Sequence, residues 1–138
     1  MSQPLTGGCQ CGSVRYEVPA EMATAAKCHC RECQKATGTG ALTAAVYPEG
    51  DVKVMGETKT YKYTADSGNE VTHQFCPNCG SRLFLKSPSG LPGLTLVLAG
   101  SLDDSSTVKP QFVVFASRRP AWDNDDPSVP HHAGMPTG

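Results

Sequence analysis

Seven cysteines in a chain of 138 residues fall into three tight groups, and no other feature limits the possible folds as sharply. Cys9 and Cys11 form C-x-C, Cys28, Cys30 and Cys33 form C-x-C-x-x-C, and Cys76 and Cys79 form C-x-x-C. Donors this close together on a tight turn can direct two thiolates at one ion, and Zn²⁺ favours a tetrahedron of soft sulfurs at about 2.3 Å. Seven divides as four plus three, because a closed structural zinc site takes four ligands and a catalytic one keeps three protein ligands and an open position. The triplet can surround an ion unaided, whereas each pair supplies half a tetrahedron. Cys9 and Cys11 therefore pair with Cys76 and Cys79, closing a long loop with a staple whose binding free energy, on the order of 10–16 kcal/mol, counts toward folding.

Two other readings compete. Disulfides suit an even cysteine count in a secreted domain. Here the count is odd, the spacings are metal-like, and no apolar stretch after Met1 resembles a leader, so the expectation is reduced thiols in a cytoplasmic setting. Alternatively the triplet is structural too, completed by a histidine. Geometry disfavours His29, whose backbone neighbours Cys28 and Cys30 both bind, while His73, just before Cys76, stands as a candidate fourth ligand.

The length allows one domain and is short for two. A formal net charge of −1 and a pI near 6.4, with basic residues scattered apart from Arg118 and Arg119, leave no electrostatic footprint for nucleic acid. No apolar run is long enough to span a membrane.

Periodicity predicts a mainly β chain. Val14, Tyr16 and Val18 alternate with Ser13, Arg15 and Glu17, the pattern of a half-buried strand directly after the first cysteine pair. Further strands are expected over Ala41 to Tyr47, Val52 to Met55, Thr58 to Thr64, Glu70 to Phe75, Arg82 to Lys86, Leu94 to Ala99 and Phe112 to Ala116. Turns rich in Gly, Pro, Asp and Ser separate them. A short helical turn is expected over Arg31 to Ala36, ended by Gly38 and Gly40. Beyond Ala116 the composition shifts to Pro, Asp, Ser, His and Gly, with Trp122 as the only large apolar anchor. The expectation is a domain over 5–122 and an irregular tail over 123–138, with His131 and His132 at a solvated or frayed end.

Three stretches carry a resemblance: Gly7 to Tyr16 (GGCQCGSVRY), Cys28 to Gly38 (CHCRECQKATG) and Phe75 to Phe84 (FCPNCGSRLF). Their cysteine order, with glycines and aromatics at fixed offsets, resembles the glutathione-dependent formaldehyde-activating enzyme family, which also includes centromere protein V. The resemblance implies a β-tent of small stacked antiparallel sheets. It also implies a structural zinc on Cys9, Cys11, Cys76 and Cys79 and a second, more labile zinc on Cys28, Cys30 and Cys33, hence two zinc ions per chain. One position departs from the family pattern Pro-x-x-His-Ile-aromatic: after Pro110, Val113 stands where the histidine would. Ser117 and Trp122 fit the pattern.

Chemistry gives the triplet a purpose. Three thiolates on Zn²⁺ leave one net negative charge and a position suited to a small thiol that binds as thiolate, and coordination lowers a thiol pKa from about 8.5. A sulfur held beside an aldehyde carbonyl can then make or break a carbon–sulfur bond. The family resemblance supplies glutathione and formaldehyde as the thiol and the aldehyde. Arg31, Lys35 and Arg82 are candidate contacts for a thiol substrate's carboxylates, and solvated charges are the plain alternative. Glu32 is a candidate base on the same terms. Three classes follow: a zinc-dependent carbon–sulfur lyase, a non-catalytic zinc protein that binds glutathione, and a zinc module that binds a protein partner.

Overall fold

Short runs of β-branched and aromatic residues between glycine-rich turns favour extended pairing. The computed structural model, which describes residues 3–136, contains ten strands and one α-helix. In chain order these are β1 (Leu5–Gly8), β2 (Arg15–Val18), β3 (Thr24–Cys28), helix α1 (Arg31–Thr37), β4 (Leu42–Pro48), β5 (Lys53–Met55), β6 (Lys59–Thr64), β7 (Glu70–Phe75), β8 (Arg82–Lys86), β9 (Leu94–Leu98) and β10 (Phe112–Val114). Strands β1-β2-β5 form a three-stranded antiparallel sheet. A seven-stranded sheet has the order β10-β3-β4-β9-β8-β7-β6 and is antiparallel except for the edge pair of β10 with β3.

The mainly β expectation holds, and Glu70–Phe75 and Arg82–Lys86 are strands at the expected bounds. Strands β1 and β3 were not foreseen. Their sequences, LTGG and TAAKC, are rich in Gly and Ala, which have little strand preference of their own, so pairing partners decide their conformation.

Alternation along the central strands sorts the apolar side chains into two cores on opposite faces of the large sheet. On one face Ala45 and Tyr47 of β4, Val97 of β9 and Phe84 of β8 pack with Val14, Tyr16, Cys9 and Cys76. The Tyr16 and Phe84 rings meet edge to face at 5.1 Å. A β-carbon at Gly7 would lie 2.4 Å from the Tyr16 ring, so only glycine allows that ring to sit there. On the other face Leu42 and Ala44 of β4, Leu98 of β9, Leu85 of β8 and Val71 of β7 pack with Cys33, and Cys28, Cys30 and Tyr63 border them. Each face thus carries one cysteine group.

The segment after β10 is irregular in secondary structure, yet it returns to the sheet. The Val113 N–H donates to Pro130 O at 2.9 Å, His132 N–H to Val113 O at 2.8 Å, and Ala116 N–H to His132 O at 2.9 Å. His131 bridges Val113 in parallel register. The frayed end expected at His131 and His132 is therefore corrected: the free edge of β10 pairs with this segment. Trp122, expected to be the tail's apolar anchor, is instead 72% exposed, and polar contacts hold the segment down. Among the described residues, no helix is long and apolar enough to cross a membrane.

Candidate metal centres

Two knuckles of like build meet at the first centre. The β1–β2 connection holds Cys9 to Ser13 and the β7–β8 connection Cys76 to Ser81, both ending in Cys-Gly-Ser. Each turn closes on the carbonyl of its first cysteine, Gly12 N–H to Cys9 O at 3.2 Å and Gly80 N–H to Cys76 O at 2.9 Å. These glycines have φ of 83° and 79°, a conformation that side chains disfavour. The same turns aim backbone donors at sulfur: Val14 N–H lies 3.3 Å from Cys9 Sγ, and the Asn78 and Cys79 N–H groups lie 3.4 Å from Cys76 Sγ. The four sulfurs all lie within 4.8 Å of one another, with Cys9 to Cys11 at 3.6 Å and Cys11 to Cys76 at 3.8 Å. A tetrahedron with bonds of about 2.3 Å has sulfur edges of about 3.8 Å, so the donor set fits a metal ion. The Ser13 hydroxyl, 3.1 Å from Cys11 Sγ, draws that thiol down to about 7, and the Ser81 hydroxyl draws Cys79 down to about 5. Ser81 Oγ also accepts from Gln10 N–H at 3.1 Å, tying one knuckle to the other.

The second centre is local. Strand β3 ends at Cys28 and α1 begins after Cys30, so a strand end, a turn and a first helical turn bring three sulfurs within 4.8 Å of one another. Cys30 caps the helix, its sulfur accepting Cys33 N–H at 3.3 Å. Gly38, at φ 70°, ends the helix as expected. Hydrogen bonds from the Cys30 and Cys33 thiols hold Cys28 down to about 4, and the same contacts together with burial push Cys33 up.

Among the described residues, His73 does not join the convergent set of Cys28, Cys30 and Cys33; its ring stacks on Tyr63 of β6 at 5.6 Å between centroids. Burial, with the Arg82 charge adding to it, lowers His73 to about 4; its Nε2 lies 3.4 Å from the Tyr63 hydroxyl and its Nδ1 has no partner. Arg31 and Lys35 are exposed cations on α1, whose buried residues are Cys33 and Gln34, with Arg31 donating to Gln34 Oε1 at 2.7 Å. Arg82 opens β8 and lies over the Phe75 ring at 5.7 Å. Burial, then the negative charge of Cys30, raises the Glu32 carboxyl. Sequence reasoning missed Tyr63, which borders the cysteines; its place in an alternating strand gave only a generic core or surface signal.

Residues 4–118 match the family model described as glutathione-dependent formaldehyde-activating enzyme. The chain belongs to that family. No curated protein matches the sequence. A similar solved structure is the crystal structure of a Rhodobacter sphaeroides protein, 24% identical, covering 91% of this chain and 98% of that chain with a TM-score of 0.58; that likeness concerns the fold.

In this member of the glutathione-dependent formaldehyde-activating enzyme family, Val113 is 1% exposed and is paired with Lys27 of β3. A third donor group, His29 with Asp123 and Asp125, also lies within 4.8 Å. There the Lys27 ammonium already sits 2.8 Å from Asp125 and 3.9 Å from Asp123, so a side-chain cation serves these carboxylates. The acidic run at Asp123 carries no site signal of its own in the sequence, because it lies in a segment whose composition reads as tail.

Proposed function

We propose that this chain is a zinc-dependent carbon–sulfur lyase-like enzyme acting on the adduct of a thiol such as glutathione with formaldehyde or another small aldehyde. Family membership supports the thiol and aldehyde classes. The observation that carries the reading is the contrast in donor number: four convergent cysteines in one centre, three in the other, with no further His, Cys, Asp or Glu in the second set among the described residues. Zinc would occupy both, structural on Cys9, Cys11, Cys76 and Cys79, and working on Cys28, Cys30 and Cys33. Bound at the three thiolates, it would stabilise the substrate as thiolate and polarise the carbonyl oxygen.

The chain's own groups orient the substrate. Arg31 and Lys35 sit on the exposed side of α1, where either can pair with a carboxylate of a peptide thiol. Tyr63 and the buried, neutral His73 wall the cluster with aromatic surface. In the synthetic direction the thiol sulfur attacks the carbonyl carbon, the C=O π pair moves to oxygen, and the proton lost from sulfur ends on that oxygen. The lyase direction reverses each step, and no electrons are exchanged with another reactant. Thiolate ligands of this kind suit a reducing compartment such as the cytoplasm.

Formation or breakdown of the glutathione–formaldehyde adduct is expected to run faster with protein than in a matched blank, and the gain should vanish in Cys33→Ser. A second reading, a zinc protein that binds thiol without turnover, is favoured by Val113, which offers no proton at the position of the family histidine. Cobalt-substituted protein separates the two. Thiol-dependent change in its sulfur charge-transfer bands without any rate gain would retire the lyase reading.

A further inference from the structure

The three-cysteine turn is supported from behind by residues nearly a hundred positions later in the chain. His29, between two of the cysteines, points away from them and is fully buried. Its Nδ1 lies 2.6 Å from Gly40 O, and its Nε2 lies 2.8 and 3.0 Å from the two carboxylate oxygens of Asp125, whose side chain is 4% exposed. Lys27, preceding Cys28, reaches the same carboxylate at 2.8 Å and donates to Asn124 O at 3.2 Å. Gln34 on α1 adds a second bolt, donating to His29 O at 2.8 Å and to Arg118 O at 3.1 Å. Gly40 makes room for the returning chain, since a β-carbon there would lie 2.5 Å from the Asp123 carboxylate.

We infer that Asp125 is a positioning residue of the three-cysteine centre, fixing the Cys28–Cys30 turn through His29 and Lys27 so that the three sulfurs converge before an ion arrives. The inference rests on the proposed metal role of these cysteines. Unlike the knuckles of the first centre, this turn has no hairpin around it; Cys28 and Cys30 flank a residue whose ring, among the described residues, hydrogen-bonds to Gly40 O and Asp125, with Asp123 farther off at 3.8 Å from Nδ1. Removing the carboxylate leaves a buried imidazole and a lysine without their shared acceptor, and the turn must rearrange to rehydrate them. Outer partners of metal ligands typically alter affinity by about 10–100-fold.

The test uses the full chain loaded with zinc, or with cobalt(II) for spectra, and a competing chelator. Wild type should release one ion readily and one slowly. Asp125→Ala should release the first roughly tenfold faster or more, with altered cobalt–thiolate bands, and leave the slow ion unchanged. Asp125→Asn, which keeps size and an acceptor for His29, should show a smaller shift in the same direction. Asp126→Asn, on an exposed neighbour whose carboxylate, among the described residues, bonds to Ser128, should match wild type. Wild-type release and bands in the Asp125 variants would overturn the inference, as would equal loosening of both ions. Should Asp125→Ala fail to fold, Asp125→Asn decides by the same criteria. A wild-type chain that never takes a second ion would sink the metal reading itself, a distinct outcome from two ions with indifferent variants.

Discussion

The two cysteine groups lie on opposite faces of one sheet and are built in opposite ways. The four-cysteine group gathers its donors from turns separated by more than sixty residues, and each turn is a hairpin whose own backbone N–H groups already point at sulfur. The three-cysteine group takes its donors from one short strand-to-helix turn and borrows its support from the far end of the chain. Ligands distant in sequence make a centre part of folding, since the ion closes a long loop. Local ligands leave a centre free to gain and lose its ion without unmaking the fold.

Cys9→Ser or Cys76→Ser removes one of four convergent sulfurs from the core; if they hold a structural ion, worth on the order of 10–16 kcal/mol to folding, soluble folded protein should be largely lost. Cys30→Ser and Cys33→Ser should give folded protein with one ion fewer. Circular dichroism and metal analysis of the four variants check this; equal damage from both sets would make both centres structural.

A smaller effect concerns His73. Folding disfavours its charged ring, so its contribution is present in full above the ordinary value of 6.5 and is lost as pH falls from there toward about 4. That loss is on the order of 3 kcal/mol, and denaturant titrations of His73→Phe should show a correspondingly flatter stability profile between those limits. Metal content near neutral pH should be unchanged. If the substitution strips an ion instead, His73 is a ligand and the donor contrast between the two centres disappears.

The smallest effect is expected at Trp122. With 72% of it exposed, Trp122→Ala should change stability by no more than about 0.5 kcal/mol, because polar contacts at Asp125 and Arg118, not apolar burial, hold that segment. A loss of several times that size in thermal or denaturant unfolding would restore Trp122 as an anchor.

What the sequence made legible follows from the range of the forces involved. Knuckles are local: C-x-C and C-x-x-C followed by Gly-Ser specify their turns within a few residues, and the four-plus-three division followed from counting. Strands with strong alternation, β7 and β8 above all, were equally readable. Strand β3 was hidden because Ala25 and Ala26 carry little preference, and its conformation is set by β4 and β10 on either side. The support of the second centre was hidden for a related reason. His29 and Asp125 are joined by one buried contact across the whole domain, and composition around Asp125 matches that of a solvated tail.

Stepwise chelation of the zinc-loaded wild-type chain, with metal content and thermal unfolding followed together, shows whether the two cysteine centres are unequally attached to the fold. A first equivalent should leave with little change in the unfolding transition, and loss of the second should coincide with collapse of the fold. A single ion that no supplementation raises, or two ions that leave together as the protein unfolds, would contradict unequal attachment.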